Sequence, residues 1–320
     1  MGIIVGVIVL LGICGFLLMN RPVDYSSHRD SEQAESVDNE NVSPILGFSL
    51  SPLSYSEKNF SEFLKNAFDG GNALTVAGEV ATLSDREAGP QVVMRLSNQY
   101  GFTPVILVSD PQTDHIIPFV TEYKPSYLGI GVEVNRNKIN TIEQFAADFS
   151  SIYDRIKEVS PQTIVFVTFQ LENMKGLDGG LFGNSNNPEN SQWDLLDLFP
   201  KSDLVGFTTY PGLIYTDPSQ IPDNYYLSIE EHTDKSLAFV EIGWFSQISL
   251  ADWESDEEEQ SKFIERFFTL TSDNEIRMTI WSFLYDQSDT DLPLPFRSMG
   301  LFDFEGNEKL GWWTWKNHVM

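Results

Sequence analysis

Tyr127–Asn135 reads YLGIGVEVN, and its alternation decides which fold the chain can adopt. Side chains of a strand point to opposite faces in turn, so Leu128, Ile130, Val132 and Val134 share one face while Gly129, Gly131, Glu133 and Asn135 share the other. The aliphatic face asks for a covering helix. On the other face two glycines lead up to a single carboxylate, Glu133, where the apolar run gives way to Asn135, Arg136 and Asn137. A strand of this kind belongs in a parallel sheet buried on both sides, with its polar end at the rim where loops meet.

Outward from this stretch the same unit recurs. Strands are expected at ILGFSLS (45–51), ALTVAGEV (73–80), TPVILVSD (103–110), TIVFVTFQLE (163–172), DLVGFTTYP (203–211), LAFVEIGWF (237–245) and RMTIWSFLY (277–285), making eight with 127–135. Between them, SEKNFSEFLKNAF, DREAGPQVVMRLSNQY, TIEQFAADFSSIYDRIKEV and DEEEQSKFIERFFTLT carry apolar residues at helical spacing. Alternating strands and helices give a parallel sheet with helices outside. Eight such units over residues 44–320 fit a single α/β domain, a (β/α)8 TIM barrel. An open doubly wound sheet would carry a glycine-rich first turn, which FSLSPLSYSEKN after the first strand lacks.

Two segments precede the barrel. GIIVGVIVLLGICGFLLM has no charge across 18 residues, close to the ~20 that span a bilayer as a helix, so residues 1–19 read as a transmembrane anchor. A cleaved signal peptide is the competing reading, but no Lys or Arg precedes the apolar run. Residues 20–43, poor in large apolar side chains and rich in Ser, Asp, Glu and Asn, read as a flexible tether. Arg21 and Arg29 bias the C-terminal side of the span towards the cytoplasm, whereas work on a large substrate places the barrel outside the cell; the orientation stays open between the two.

Acidic residues outnumber basic ones 47 to 20, for a formal charge of -27. Such a surface repels phosphates, which argues against a nucleic acid partner. The four histidines are scattered and Cys14 is the only cysteine, so no metal-ligand spacing and no internal disulfide is expected. No cofactor motif is present.

Strand alternation applied to LAFVEIGWF puts Leu237, Phe239, Glu241 and Gly243 on one face, so a second glutamate ends the seventh strand as Glu133 ends the fourth. With TTYPG around Tyr210, IWSFLYD around Trp281 and the closing MGLFDFEGNEKLGWWTW, this order resembles the clan of retaining glycoside hydrolases with (β/α)8 barrels that includes cellulases, mannanases and arabinogalactan endo-β-galactosidases. The resemblance covers roughly residues 45–318. It implies that Glu133 is the acid/base and Glu241 the nucleophile of a two-step displacement at a β-linked sugar, that Tyr210 contacts the nucleophile, and that Trp281 is a sugar platform. Trp244, after the nucleophile strand, is a second candidate platform.

The clan usually has Asn immediately before the acid/base; here that position is Val132, and Asn135 is the candidate substitute for binding a sugar hydroxyl. TVAGEVATL offers Glu79 where related barrels place an arginine near the end of the second strand. Glu79, Asp110, Gln170 and Glu172 fall near strand ends as candidate sugar ligands, with simple solvation of the rim as the alternative for each. The expected partner is a carbohydrate, bound by a monomeric domain. The competing reading is a carbohydrate-binding or scaffold barrel that retains two glutamates without chemistry.

Overall fold

A computed structural model describes residues 44–136, 141–250, 253–288 and 292–319. The anchor and tether expected at residues 1–19 and 20–43 lie outside the described residues. Among the described residues, no helix is long and apolar enough to cross a membrane.

Strands β1 (Ile45–Ser49), β2 (Ala73–Gly78), β3 (Thr103–Val108), β4 (Tyr127–Ile130), β5 (Ile164–Gln170), β6 (Val205–Thr209), β7 (Leu237–Ile242) and β10 (Ile276–Trp281) form a closed parallel barrel. β10 is its eighth strand and pairs with β1, closing the circle through Ile45↔Met278 to Phe48↔Trp281. A short antiparallel pair, β8 (Ile248–Leu250) and β9 (Trp253–Ser255), sits in the loop after β7.

Helices α1 (Glu57–Gly70), α2 (Gly89–Tyr100), α3 (Thr113–Tyr123), α4 (Ile142–Val159), α6 (Glu257–Leu270) and α7 (Leu310–Val319) surround the barrel. Their starts follow from the sequence. Ser56, Thr141 and Asp256 accept the backbone N–H of Asn59, Gln144 and Glu259 respectively, and three acids, Glu257 to Glu259, favour the positive end of α6. Between β5 and β7 the helical layer thins to one four-residue helix, α5 (Leu171–Met174), and to 3-10 turns such as Trp193–Leu198 and Leu227–Glu231.

Two apolar layers hold the fold. Inside the barrel, Ile45, Ala73, Val105, Leu107, Tyr127, Phe166, Leu204, Ala238, Val240, Met278 and Ile280 pack together. Outside, strand residues such as Leu128, Ile130, Phe207, Phe239 and Trp281 meet Phe63, Ile152, Phe263, Phe267 and Trp315 of the helices. A third cluster, with Phe182, Tyr210, Leu213, Phe245, Phe283, Phe296 and Met299, is formed by loops at the C-terminal ends of the strands.

The structure corrects the expected β4. Regular strand stops at Ile130, because Gly131 and Glu133 both have left-handed backbone, at φ 89° and 49°. Alternation beyond Ile130 therefore fails: Val132 turns into the barrel interior and Val134 faces the helices. Of the two glycines of this stretch, Gly129 faces the interior, and Gly131 lies against Val134 and Phe145. A Cβ at Gly129 would lie 2.5 Å from Leu107 Cδ2 and 3.1 Å from Phe166, whose side chains fill the space.

Candidate active site

Glu241 reaches the barrel mouth through a bulge. β6 pairs Phe207 with Phe239 and then Thr208 with Glu241; β10 pairs Thr279 with Phe239 and then Trp281 with Ile242. Both neighbours thus see one extra residue in β7. Phe239 packs outward and Val240 inward, so strict alternation would have turned Glu241 outward. The bulge turns it inward instead, as such insertions re-aim side chains at barrel rims. Leu237 and Phe239, expected on the same face as Glu241, face the helices. The Tyr210 hydroxyl donates to Glu241 Oε2 at 2.6 Å and lies 2.9 Å from Ser282 Oγ.

Glu133 is carried on the turn Gly131–Arg136, which rests on β5. Thr168 supplies both ends of that support: its hydroxyl accepts from the Glu133 N–H at 3.1 Å, and its carbonyl accepts from Val134 N–H at 3.0 Å. Glu133 is 8% exposed, so it is not a solvated rim residue. Thr208 Oγ1 donates to Glu133 Oε1 at 2.6 Å. Thr208 is also the register partner of Glu241 on the adjacent strand, so the threonine that bonds the Glu133 carboxyl lies beside the Glu241 backbone.

The electrostatics of the two glutamates differ. Burial pushes Glu133 up to about 7; the Thr208 hydroxyl opposes this, and the charges of Glu241 and Glu172 add to it. Glu241 is also raised by burial, against which the Tyr210 phenol stabilises its charge. Tyr210 is driven well above its ordinary value by burial and by the Glu241 charge, so its hydroxyl stays a donor. Both carboxyls are thus raised by burial, and they differ in what opposes it: a threonine hydroxyl at Glu133 and a phenol at Glu241.

Other expected site residues are placed elsewhere. Trp281 is fully buried outside the barrel, its Nε1 donating to the Met299 carbonyl at 2.8 Å and its ring packed on Phe263 and Trp315. Trp244 is fully buried against Phe245 and Phe263, with Nε1 on Ser255 Oγ. Neither ring can stack on a sugar. Asn135 spends its amide on protein, donating to the Gln170 carbonyl and Gln192 Oε1 and accepting from the Gln170 N–H, so it latches β4 to β5. Gln170 is 1% exposed; it caps α5 at Asn173 N–H and donates through Nε2 to Glu172 Oε2. Both N–H groups of Asn135 are thus taken, and Gln170 is closed off by burial. Glu79 is exposed just past β2, where its Oε2 accepts from Ser109 Oγ.

Thr208 and Ser282 were not singled out from the sequence, although a signal existed. Thr208 precedes Tyr210 by two, and Ser282 follows the interior residues Met278 and Ile280 at the same spacing. Among the described residues, no group of three or more His, Cys, Asp or Glu is arranged to hold a metal.

The fold is a (β/α)8 barrel like that of glycoside hydrolases of known structure. The likeness is seen in solved structures: a β-glucuronidase from an uncultured Clostridium (TM-score 0.59, 12% identity, 86% of this chain and 50% of that one), a GH5 protein from Bifidobacterium longum in complex with Manβ1-4GlcNAc (TM-score 0.60, 11% identity, 87% and 78%), and a family 39 glycoside hydrolase from Bacteroides cellulosilyticus (TM-score 0.59, 14% identity, 86% and 63%). The chain spans about half the length of that β-glucuronidase. No protein-family model and no curated protein sequence matches it.

Proposed function

We propose that the chain is a retaining glycoside hydrolase acting on β-linked oligosaccharide or polysaccharide, held at a membrane by its apolar N-terminal segment with the barrel outside the cell. The observation that carries this reading is the Thr208 link: its hydroxyl bonds Glu133 while its backbone lies in register with Glu241. The Glu241 charge is also one of those that raise Glu133, which supports two carboxyls close enough to act as a pair; retention asks for ~5 to 5.5 Å between them. Glu133 would protonate the glycosidic oxygen as Glu241 attacks the anomeric carbon; Glu133, then ionised, would draw a proton from the water that releases the sugar. Tyr210 keeps Glu241 charged and aimed.

A second reading, a binding barrel without chemistry, draws on Val132. Its side chain joins the apolar interior and cannot offer the hydrogen bond that Asn supplies in the clan.

One experiment separates the two. A soluble fragment starting near Asn41 is incubated with β-galactan, β-mannan, β-glucan and xylan, and new reducing ends are followed beside the Glu133→Ala and Glu241→Ala variants. Hydrolysis by the parent that falls by about 100-fold or more in both variants is expected. Binding to one polymer by all three proteins, with no hydrolysis, would sink the enzyme reading and support the second.

A further inference from the structure

The site contains a third buried carboxylate that neither step above uses. Glu172 is fully buried, on α5 directly after β5. Its Oε1 accepts from Thr209 Oγ1 at 2.7 Å, from the Tyr210 N–H at 3.1 Å and from the Tyr225 hydroxyl at 3.0 Å, and its Oε2 accepts from Gln170 Nε2. The Gln170 amide has a fixed orientation, because its oxygen is committed to the Asn173 N–H at 2.7 Å. Every bonded neighbour of Glu172 is therefore a donor. Burial raises Glu172, and the bonds from Thr209, Tyr225 and the Tyr210 N–H act against that rise; such a shell favours a carboxylate anion over an amide, which places N–H groups against donors. Lys175, on the next turn, rests its ammonium 4.9 Å from the Tyr225 ring centre and 5.5 Å from that of Trp193, supplying positive charge behind the cluster.

We propose that Glu172 is a positioning residue for the carboxylate pair: as an anion it clamps the end of β6 through Thr209 and the Tyr210 backbone, so that the Tyr210 phenol is held on Glu241. The proposal rests on the reading of Glu133 and Glu241 as a reacting pair. The clamp is needed at that point because regular strand ends at Thr209 and Tyr210 leaves it at φ -135°, ψ 69°. Beyond the strand, the Glu172 contact on the Tyr210 N–H acts with the Ser282 hydroxyl at 2.9 Å and the apolar packing around the ring, including the Phe296 ring edge-on at 4.9 Å, to hold the phenol in place. Glu172 also has an electrostatic consequence. Its charge is one of those that raise Glu133, with Glu241; Arg136 and the Thr208 hydroxyl act in the opposite direction.

The test compares the full chain with Glu172→Gln by two readouts. The first is the pH dependence of kcat and KM on whichever glycan the parent cleaves. The second is a carbon-13 NMR titration of the glutamate carboxyls, which needs no activity. With Glu172→Gln, kcat is expected to fall by about 10-fold to 100-fold with little change in KM, Glu133 to titrate at lower pH than in the parent, and Glu241 at higher pH as its phenol loosens. Tyr225→Phe, which removes one donor and keeps the charge, should give a weaker version of the kcat loss, and it serves as the test if Glu172→Gln does not fold. Folded variants whose Glu133 and Glu241 titrations and kcat match the parent overturn the proposal. If the parent hydrolyses nothing but the titrations move, the clamp stands and the hydrolase reading fails.

Discussion

Glu133 owes its place to an unusual backbone. A non-glycine residue at φ 49° carries a cost of about 1 kcal/mol or more, and here it lifts the carboxyl off the strand and onto Thr208. Burying that carboxyl adds a second cost. Its value in the fold, about 7 against an ordinary 4.5, means that the folded state holds the proton more tightly than the unfolded chain. The side chain therefore opposes folding increasingly as pH rises from 4.5 to about 7, by about 3 kcal/mol in full, and costs least below 4.5. Glu133→Gln keeps an oxygen for Thr208 and removes the charge. Its melting temperature should exceed the parent's at pH 8 and approach it at pH 4, measured by calorimetry at both. The same proton sets activity: under the proposed mechanism, kcat/KM should decline as pH rises through about 7, because the acid form of Glu133 is lost. A flat profile to pH 9 would remove Glu133 from the acid role.

At the scale of the element, β4 and β7 reach the same end by different irregularities, a left-handed turn in one and a bulge in the other. Beneath them the interior is packed to contact, as at Gly129. Gly129→Ala would drive a methyl onto Leu107 and Phe166, with an expected loss of about 1–3 kcal/mol in urea unfolding. Those irregularities also explain what could be read from the residues and what could not. All eight barrel strands and the helices over 57–70, 89–100, 142–159 and 257–270 lie where period-2 and 3.6-residue patterns put them. Both mouth glutamates lie at strand ends as expected, yet for Glu241 the alternation argument had the wrong parity: it grouped Glu241 with Phe239, which faces α6. A one-residue bulge leaves no mark in a hydrophobic pattern, so the sequence could not announce it. Trp281 fell to the same parity. It sits one residue off the face shared by Met278, Ile280 and Ser282, and its size made it look like a platform where the strand makes it core. Glu172 was in view as a strand-end acid, but its four donors come from residues up to 53 positions away, beyond any local pattern.

At the scale of the whole molecule, the last turns of the chain are tied to the top of the barrel by a buried ion pair. Lys309, just before α7, places Nζ 2.6 Å from Asp286 Oδ1, 2.8 Å from Ser246 Oγ and 3.0 Å from the Gly300 carbonyl; both side chains of the pair are at most 6% exposed. Asp286 is nonetheless pushed up to about 6, because burial outweighs the Lys309 charge. A pair of this kind adds little over a well-packed apolar replacement, but breaking it strands a charge. Lys309→Met should therefore cost about 3–5 kcal/mol at pH 8, where Asp286 must stay ionised. The loss should shrink below pH 5, where Asp286 can take a proton; urea unfolding at the two values measures both.

The pairing of the first strand with the last also bears on how the protein is made. β1 cannot close the barrel until β10 exists, and the ties that complete the closure span most of the chain: Leu284 N–H to Ser51 Oγ across 233 positions, and Trp315 Nε1 to the Gly70 carbonyl across 245. Until β10 has been translated, β1 and the last strand made each offer an unpaired edge, and Phe48 lacks the indoles of Trp312 and Trp315 that will cover it. The nascent chain thus carries sticky strands for most of its synthesis. A transcript cut short before residue 276 would yield material for chaperones and proteases, with no smaller barrel to fall back on.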